Sequence, residues 1–526
     1  MVGGTILTMD EEAPAATALA VVRGRIMAVG SDADIRQLVG PRTRVIELSG
    51  RGVTPGLVDS HAHLLGLGTA LDSVDLRGAK SAKEAADRAA AAARDRPAGE
   101  WVTGRGWDQN LWQPQVFPTR SPLDDRVPEH PVALRRVDGH ALWANTRALE
   151  LSGVDKDTPE PAGGKIERDA AGRPTGVLVD AAMDLVESHI PEAPTAVKRR
   201  RILAASRRAL AAGITGVHEM GIGLDTADLY RTLADEGRLP IRIYAFLSGS
   251  PKLVDRLGDM VIEVDRDGTE MFIARAVKLF SDGALGSRGA ALIEPYSDDP
   301  DNRGLWITSA EDLKKAAVIA AKSGWQLGIH AIGDAANRAV LDAYAAARAV
   351  DSEADLRFRV EHAQVLSPAD IPRFSELGVI ASMQPTHCTS DMPWAGDRLG
   401  PERLDGAYAW RSLLDAGAHI AAGSDFPVEE VSPLLGIYAA TTRQDAGGKP
   451  AGGWNPREKM TLEEAVRAFT VESAYASFAE ASRGKLRRGY VADITVYDRP
   501  LEGGSPLLET QVDMTVVGGN VVYERG

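Results

Sequence analysis

Residues 310–366 read AEDLKKAAVIAAKSGWQLGIHAIGDAANRAVLDAYAAARAVDSEADLRFRVEHAQVL. An Ala-rich helical pattern leads into a short apolar run, and the pair then repeats. The helical parts carry apolar residues at three- and four-residue spacing, whereas WQLGIHA and FRVEHAQVL are short apolar runs of the kind buried strands show. Strands alternating with helices build a parallel sheet joined by right-handed crossovers. The same texture extends in both directions. GITGVHEMG follows VKRRRILAASRRALAA, IRIYAFLSGS precedes ARAVKLFSDGA, GVIASMQPTH and HIAAGSDFPVE come later, and VTPGLVDSHAHLLG stands at the head. The economical closure is an α/β fold, an eight-stranded (β/α)8 TIM-like barrel.

Both chain ends differ from this middle. TILTM, ALAVVRGRIMAVG and TRVIELSG, then ADITVYD and VDMTVVGGNVVYERG, are β-rich runs with Gly-containing turns, one of them at Arg23-Gly24. Residues 1–55 and 483–526 are therefore expected to form one composite β-sandwich, and 56–482 the barrel. One interval is too long. His63 to His218 spans 155 residues, where two strand–helix units take roughly 60. The excess, at about 70–190, contains WDQNLWQPQVFPTRSP and reads as an insertion over the barrel mouth, with PVALRRVDGH as a candidate barrel strand.

The 526 residues exceed one hydrophobic core, and 44% hydrophobic with 25% charged residues is globular composition. A net charge of −14 disfavours nucleic acid and anionic lipid as partners. The one cysteine, Cys388, makes neither an internal disulfide nor a thiolate cluster. Neither a leader pattern nor an apolar run near the roughly 20 residues of a membrane span is present. The expectation is a soluble cytoplasmic protein acting on a small molecule.

In a parallel barrel, residues after each strand converge on one face. Those positions hold His61 and His63, His218 and Glu219, Lys278, His330, His362, His387 and Asp425. Alternation puts His61 and His63 on one face, as two imidazoles binding one cation require. Single histidines after two later strands and an aspartate after the last complete a nitrogen and oxygen donor set that suits zinc. Glu219 reads as a ligand, as a partner orienting an imidazole, or as half of an arginine pair. Lys278 has an alternative in an ion pair with Asp282. His218, His387 and His140 read as substrate-facing or structural, and His130, His189 and His419 have no supporting context. Trp107, Trp112, Trp143 and Trp394 are candidates for an aromatic rim, or for packing.

Taken together, VTPGLVDSHAHLLGLG, GRGWDQNLW, VDGHALWANTRAL, GVHEMG, VKLFSDGALGSRGA, GIHAIGDAAN, VEHAQVL, QPTH, AAGSDFPVE and GKLRRGYVADITVYD resemble the amidohydrolase superfamily, specifically amidohydrolase family 3, the YtcJ-like metal-dependent hydrolases. The resemblance covers essentially the whole chain. It implies one or two divalent metals, with His61 and His63 on the first, His330 and His362 on the second, and Asp425 as ligand and proton shuttle. Lys278 would carry a bridging carbamate derived from carbon dioxide; without it, a single metal on His61, His63, Asp425 and another histidine is expected. The implied reaction is hydrolysis of an amide-type C–N bond by a metal-activated water, with His218 or His387 stabilising the oxyanion. Trp107, His140, Glu219, Arg288 and Trp394 would face substrate. Because the family includes N-substituted formamide deformylases, an N-acyl or N-formyl amine is the expected substrate, and a homodimer the implied assembly. The competing readings are a non-hydrolytic metal-dependent barrel enzyme, an isomerase or decarboxylase, and a catalytically silent scaffold.

Overall fold

The eight apolar runs form one parallel sheet in the computed structural model, which describes residues 1–136, 141–161, 164–262, 271–286, 288–350 and 352–526. In chain order the strands are β1 (Leu57–Ala62), β2 (Ile214–Ile222), β3 (Arg242–Ser248), β4 (Phe272–Phe280), β5 (Gln326–Ala331), β6 (Arg359–His362), β7 (Ile380–Met383) and β8 (Ile420–Ala422). Each pairs in parallel with its sequence neighbour. Helix α1 (Ala310–Ser323) leads into β5 and α2 (Asp334–Arg348) into β6, the order read from residues 310–366. Ser309 caps the start of α1, and Gly324 ends it with a left-handed φ of 73°.

The barrel closes between β8 and β1 just beyond the strand ends. Asp425 N–H donates to His61 O (2.8 Å) and His63 N–H to Phe426 O (2.9 Å). Below them, the buried Asp59 carboxylate accepts from Ser424 N–H (3.0 Å) and Ser424 Oγ (2.6 Å). Gly423 is required at this seam, because a Cβ there would lie 2.5 Å from His61 N and 2.7 Å from Asp59 Oδ1. The backbone that closes the barrel thus presents the first histidine pair and Asp425 together.

Strands from both chain ends share one six-stranded sheet, in the order Ala15–Ala16, Thr5–Leu7, Gly52–Pro55, Ile494–Tyr497, Val512–Val517, Asn520–Glu524. A separate hairpin, Ala18–Val22 with Arg25–Gly30, packs on its core. The hairpin turns at Arg23 (φ 50°) and Gly24 (φ 77°), the two positive φ values that a tight hairpin turn needs. This sheet is tied to the barrel by Arg242 of β3, which donates to both Asp493 oxygens (2.6 and 3.0 Å), and by Thr495 Oγ1 donating to Gly213 O (2.7 Å).

Residues 65–202 form a compact unit of their own, wider than the expected insertion. Its six-stranded sheet runs Gly164–Arg168, Pro174–Asp180, Ala141–Ala144, Val132–Arg136, Val102–Trp107, Val74–Asp75. PVALRR is therefore a strand of this sheet and not of the barrel: Val132–Arg136 is already paired on both sides here, and the barrel's eight strands are complete without it. Trp107, Trp112 and Trp143 pack on one another with centroids 6.0–6.2 Å apart. Trp107 is fully buried and its Nε1–H donates to Leu134 O (2.7 Å), so the ring expected against substrate is a core residue of this unit.

Candidate metal centre

Four imidazoles in the barrel are oriented by what their Nδ1 atoms touch. His61 Nδ1–H donates to Glu361 Oε2 (2.7 Å) and His63 Nδ1–H to Met220 O (3.1 Å). His362 Nδ1–H donates to Gln384 Oε1 (2.7 Å), and that amide is fixed by its Nε2–H donating to Ser382 O (3.1 Å). His387 Nδ1–H donates to Glu429 Oε1 (3.3 Å). Carbonyl and carboxylate oxygens only accept, so Nδ1 carries a proton in all four rings; Nε2 is the remaining nitrogen, and in His387 it lies within hydrogen-bond distance of Asp425 Oδ2 (3.2 Å).

Those Nε2 atoms gather on Asp425. Its Oδ1 lies 3.1 Å from His63 Nε2 and 3.7 Å from His61 Nε2, and its Oδ2 lies 3.2 Å from His387 Nε2. Two groups of possible ligand atoms result, each within 4.8 Å: His61, His63, Asp425 and His362, His387, Asp425. Asp425 Oδ1 is buried, and among the described residues no hydrogen-bond donor satisfies it. An unsatisfied buried carboxylate oxygen facing imidazole lone pairs is costly alone and fits a divalent cation.

The electrostatics agree for two of the four rings, His61 and His362. Burial, with the nearby Lys278 charge, lowers the His61 imidazole to about 4. Burial, with the charges of His61 and His330, puts His362 well below its ordinary value. Both rings are therefore neutral, as a metal ligand must be. Burial would raise the Asp425 carboxyl, but His61 and His387 hold it well below the usual range. Burial would also lower His387, but its hydrogen bonds to Asp425 and Glu429 push it up to about 10.

Strained backbone delivers these side chains. Asp425 (φ 60°), His362 (φ 76°) and Ala363 (φ 44°) lie in the left-handed region, at about 1–3 kcal/mol each. The turn at His362 breaks strand alternation, so consecutive residues both address His61. Glu361 binds His61 Nδ1, while the His362 ring lies 4.7 Å from the His61 ring.

The other expected residues have the following surroundings. Lys278 is buried with Nζ 3.5 Å from His61 Nε2, and burial lowers its amine to about 8. Asp282 instead accepts from the amides of Ala291 (2.9 Å), Ile332 (3.1 Å) and Gly333 (2.9 Å). His330 meets His362 edge to face, with centroids 4.7 Å apart, but its Nε2 faces Gly283 O and Asp282 Oδ1, each at 3.5 Å, and it joins neither donor group. His218 lies in the barrel interior, where its Nδ1 accepts from Arg359 Nη1 (2.8 Å). Glu219 accepts from Tyr230 OH (3.0 Å) and the Leu64 amide. Arg288 pairs with Asp298 through Nε (3.1 Å) and Nη2 (2.9 Å). A Cβ on Gly286 would lie 3.2 Å from the Trp394 ring, so the two pack closely. His140 lies outside the described residues.

Sequence reading missed the orienting residues Glu361, Gln384 and Glu429, and Arg359, whose Nε lies 2.8 Å from Glu361 Oε1 and whose Nη2 donates to Ser60 O and Ser382 Oγ (2.6 Å each). A signal was available: Arg359 and Glu361 are two charges, two residues apart, inside an apolar strand.

A parallel β/α barrel whose strand ends converge imidazoles on a buried carboxylate defines a metal-dependent hydrolase of the barrel class. Residues 44–523 match the amidohydrolase family, and the chain belongs to it. It is 36% identical to protein LONG AFTER FAR-RED 3 of Arabidopsis thaliana, over 99% of this chain and 90% of that protein. It is 32% identical to N-substituted formamide deformylase of Arthrobacter pascens, over 100% of this chain and 98% of that protein. Among solved structures, an uncharacterized metal-dependent hydrolase from Pyrococcus furiosus superposes with a TM-score of 0.79 at 30% identity, covering 95% of this chain and 98% of that one.

Proposed function

We propose that the protein hydrolyses the C–N bond of a small N-acyl or N-formyl amine, or of a cyclic amide, with zinc as the metal. The observation carrying this reading is the Asp425 carboxylate, whose unsatisfied Oδ1 faces the Nε2 atoms of His63 and His61. The full-length likeness to an N-substituted formamide deformylase supports the amide-type bond. Imidazole and carboxylate donors without thiolate suit zinc.

When bound, the metal supplies Lewis-acid polarisation and makes a water acidic near neutral pH. Asp425, ionised and buried, accepts the proton that water gives up as its oxygen bonds to the carbonyl carbon. It returns that proton to the nitrogen as the C–N bond breaks, so an amine and an acid leave. Glu361 and Met220 O hold His61 and His63 in one tautomer throughout. Arg359 keeps Glu361 ionised at the base of that chain.

We assign Lys278 as the site of a carbamate. A buried amine lowered to about 8 keeps a neutral fraction that can add to carbon dioxide with loss of one proton, giving an anionic donor beside His61. His218 is not assigned to the oxyanion, because it is buried in the barrel interior against Arg359 and Tyr244.

The test is a hydrolysis screen of zinc-reconstituted protein over N-formyl amines, other N-acyl amines, cyclic amides and esters. Amine release that a chelator abolishes and zinc restores is expected. Cleavage of esters alone, or amine release indifferent to the chelator, contradicts the reading.

A further inference from the structure

We infer that Phe280 is a specificity-determining residue: its ring forms one wall of an apolar subsite beside the catalytic centre, and the amide cleaved there carries an aryl or bulky alkyl group that rests on it. The inference rests on the amide-hydrolase reading of the site and names the group its substrate carries.

Phe280 ends β4 two residues after Lys278, so strand alternation puts both side chains on the inner face of the barrel. Its ring centroid lies 5.1 Å from Lys278 Nζ and 5.4 Å from the ring of His330, its register partner on β5. Lys278 beneath it is 1% exposed, whereas Phe280 is 41% exposed. An aromatic ring at the rim of the barrel, close to the polar groups of the site and open on one side, offers apolar surface to a ligand.

The chain around the strand ends has the same character. Among the described residues of the barrel, eight large apolar side chains are exposed. Six of them lie from a strand's last residue to the first of the helix after it: Leu224 after β2, Phe280, Leu305, Trp306 and Ile307 at and after β4, and Val428 after β8. Substrate contacts of a β/α barrel come from that end of its strands. The 305–307 run is held beside the end of β4, with Ile307 N–H donating to Ser281 O (2.9 Å) and Thr308 Oγ1 donating to Phe280 O (2.7 Å). Trp107, Trp112 and Trp143 are buried, so the aromatic surface expected from them at the site is supplied by Phe280 instead.

Steady-state kinetics on amides that differ only by a phenyl group test this. N-phenethylformamide against N-ethylformamide places the group on the nitrogen side, and phenylacetamide against acetamide on the acyl side. On one side at least, the phenyl substrate is expected to have the lower KM. Phe280→Ala should raise that KM by about 10–100-fold, the scale for burying one large apolar group. Its kcat should stay unchanged, and so should the substrate without phenyl, because a contact made equally before and during reaction acts on KM alone. Phe280→Leu keeps apolar bulk and should fall between, which also covers a failure of the alanine variant to fold. An unaltered KM in both variants, or a kcat lost equally on phenyl and phenyl-free substrates, overturns the inference. Binding of phenylacetamide and phenethylamine followed by saturation-transfer NMR needs no turnover. Binding about tenfold weaker in Phe280→Ala supports the subsite, and equal affinity or no binding to the unaltered protein overturns it. Phenyl probes bound through Phe280 by a protein that cleaves no amide would contradict the proposed function and leave the subsite standing.

Discussion

Asp425 concentrates the chemistry in one side chain: Oδ1 unsatisfied, Oδ2 facing His387, and a left-handed φ that aims the carboxylate at both histidine groups. Asp425→Asn keeps the shape and removes the proton acceptor. We expect kcat to fall by about 10²–10⁴-fold at saturating zinc, the usual weight of general acid–base catalysis; a steady-state assay showing less than a tenfold loss would place the shuttle elsewhere. Glu361 acts one step back, through His61. Glu361→Gln should weaken zinc binding by about 10–100-fold, measured by chelator competition, since losing an orienting partner of a metal-bound histidine has that scale of effect. The ligand candidates were legible in the sequence because a histidine or aspartate just after an apolar run is visible one strand at a time. Their orienting partners were not: Glu361 reaches His61 across 300 positions, and Gln384 and Glu429 gain meaning only once neighbouring strands are adjacent.

At the scale of elements, the seam between β1 and β8 joins fold to function, because Asp59, His61, Gly423 and Asp425 sit within it. A methyl on Gly423 has backbone on one side and the Asp59 carboxylate on the other. Gly423→Ala should therefore cost about 1–3 kcal/mol in denaturant unfolding, the range for overpacking, and weaken zinc binding as well. The joint between barrel and terminal sheet makes a separate prediction about pH. Burial would raise the Asp493 carboxyl, but the Arg242 charge and hydrogen bonds hold it below its ordinary value. A depressed folded-state pKa contributes stability that is complete above the unfolded carboxylate value of about 3.9 and is lost as pH falls through the folded one. Asp493→Asn should thus flatten the acid limb of stability against pH, and at neutral pH cost about 3–5 kcal/mol because Arg242 stays buried without its anion. An unchanged acid limb would show the pair to be unimportant. The strand–helix order was readable because helical and strand periodicities differ. The assignment of PVALRR was not, since an apolar strand carries no mark of which sheet it will join.

Over the whole molecule, the chain divides into a barrel with its terminal sheet and a 65–202 unit with its own hydrophobic clusters. Units with separate cores unfold as separate cooperative steps, and a ligand stabilises only the step that destroys its site. Calorimetry of the full chain should show two transitions, with chelation lowering the barrel's transition and leaving the other in place; a single transition insensitive to chelator would contradict this division. The net charge of −14 is a property of the whole surface, whereas the buried centre presents imidazole donors chosen for a cation. That contrast leaves the composition silent about the site and the strand-end residues informative about it. The most direct test of a hydrolytic metal centre is product analysis in oxygen-18 water, using zinc-reconstituted protein and an N-formyl or N-acyl amine. One solvent oxygen in the acid released, formed only while the metal is present, is the predicted result; a product lacking solvent oxygen, or the same labelled product after complete metal removal, would contradict it.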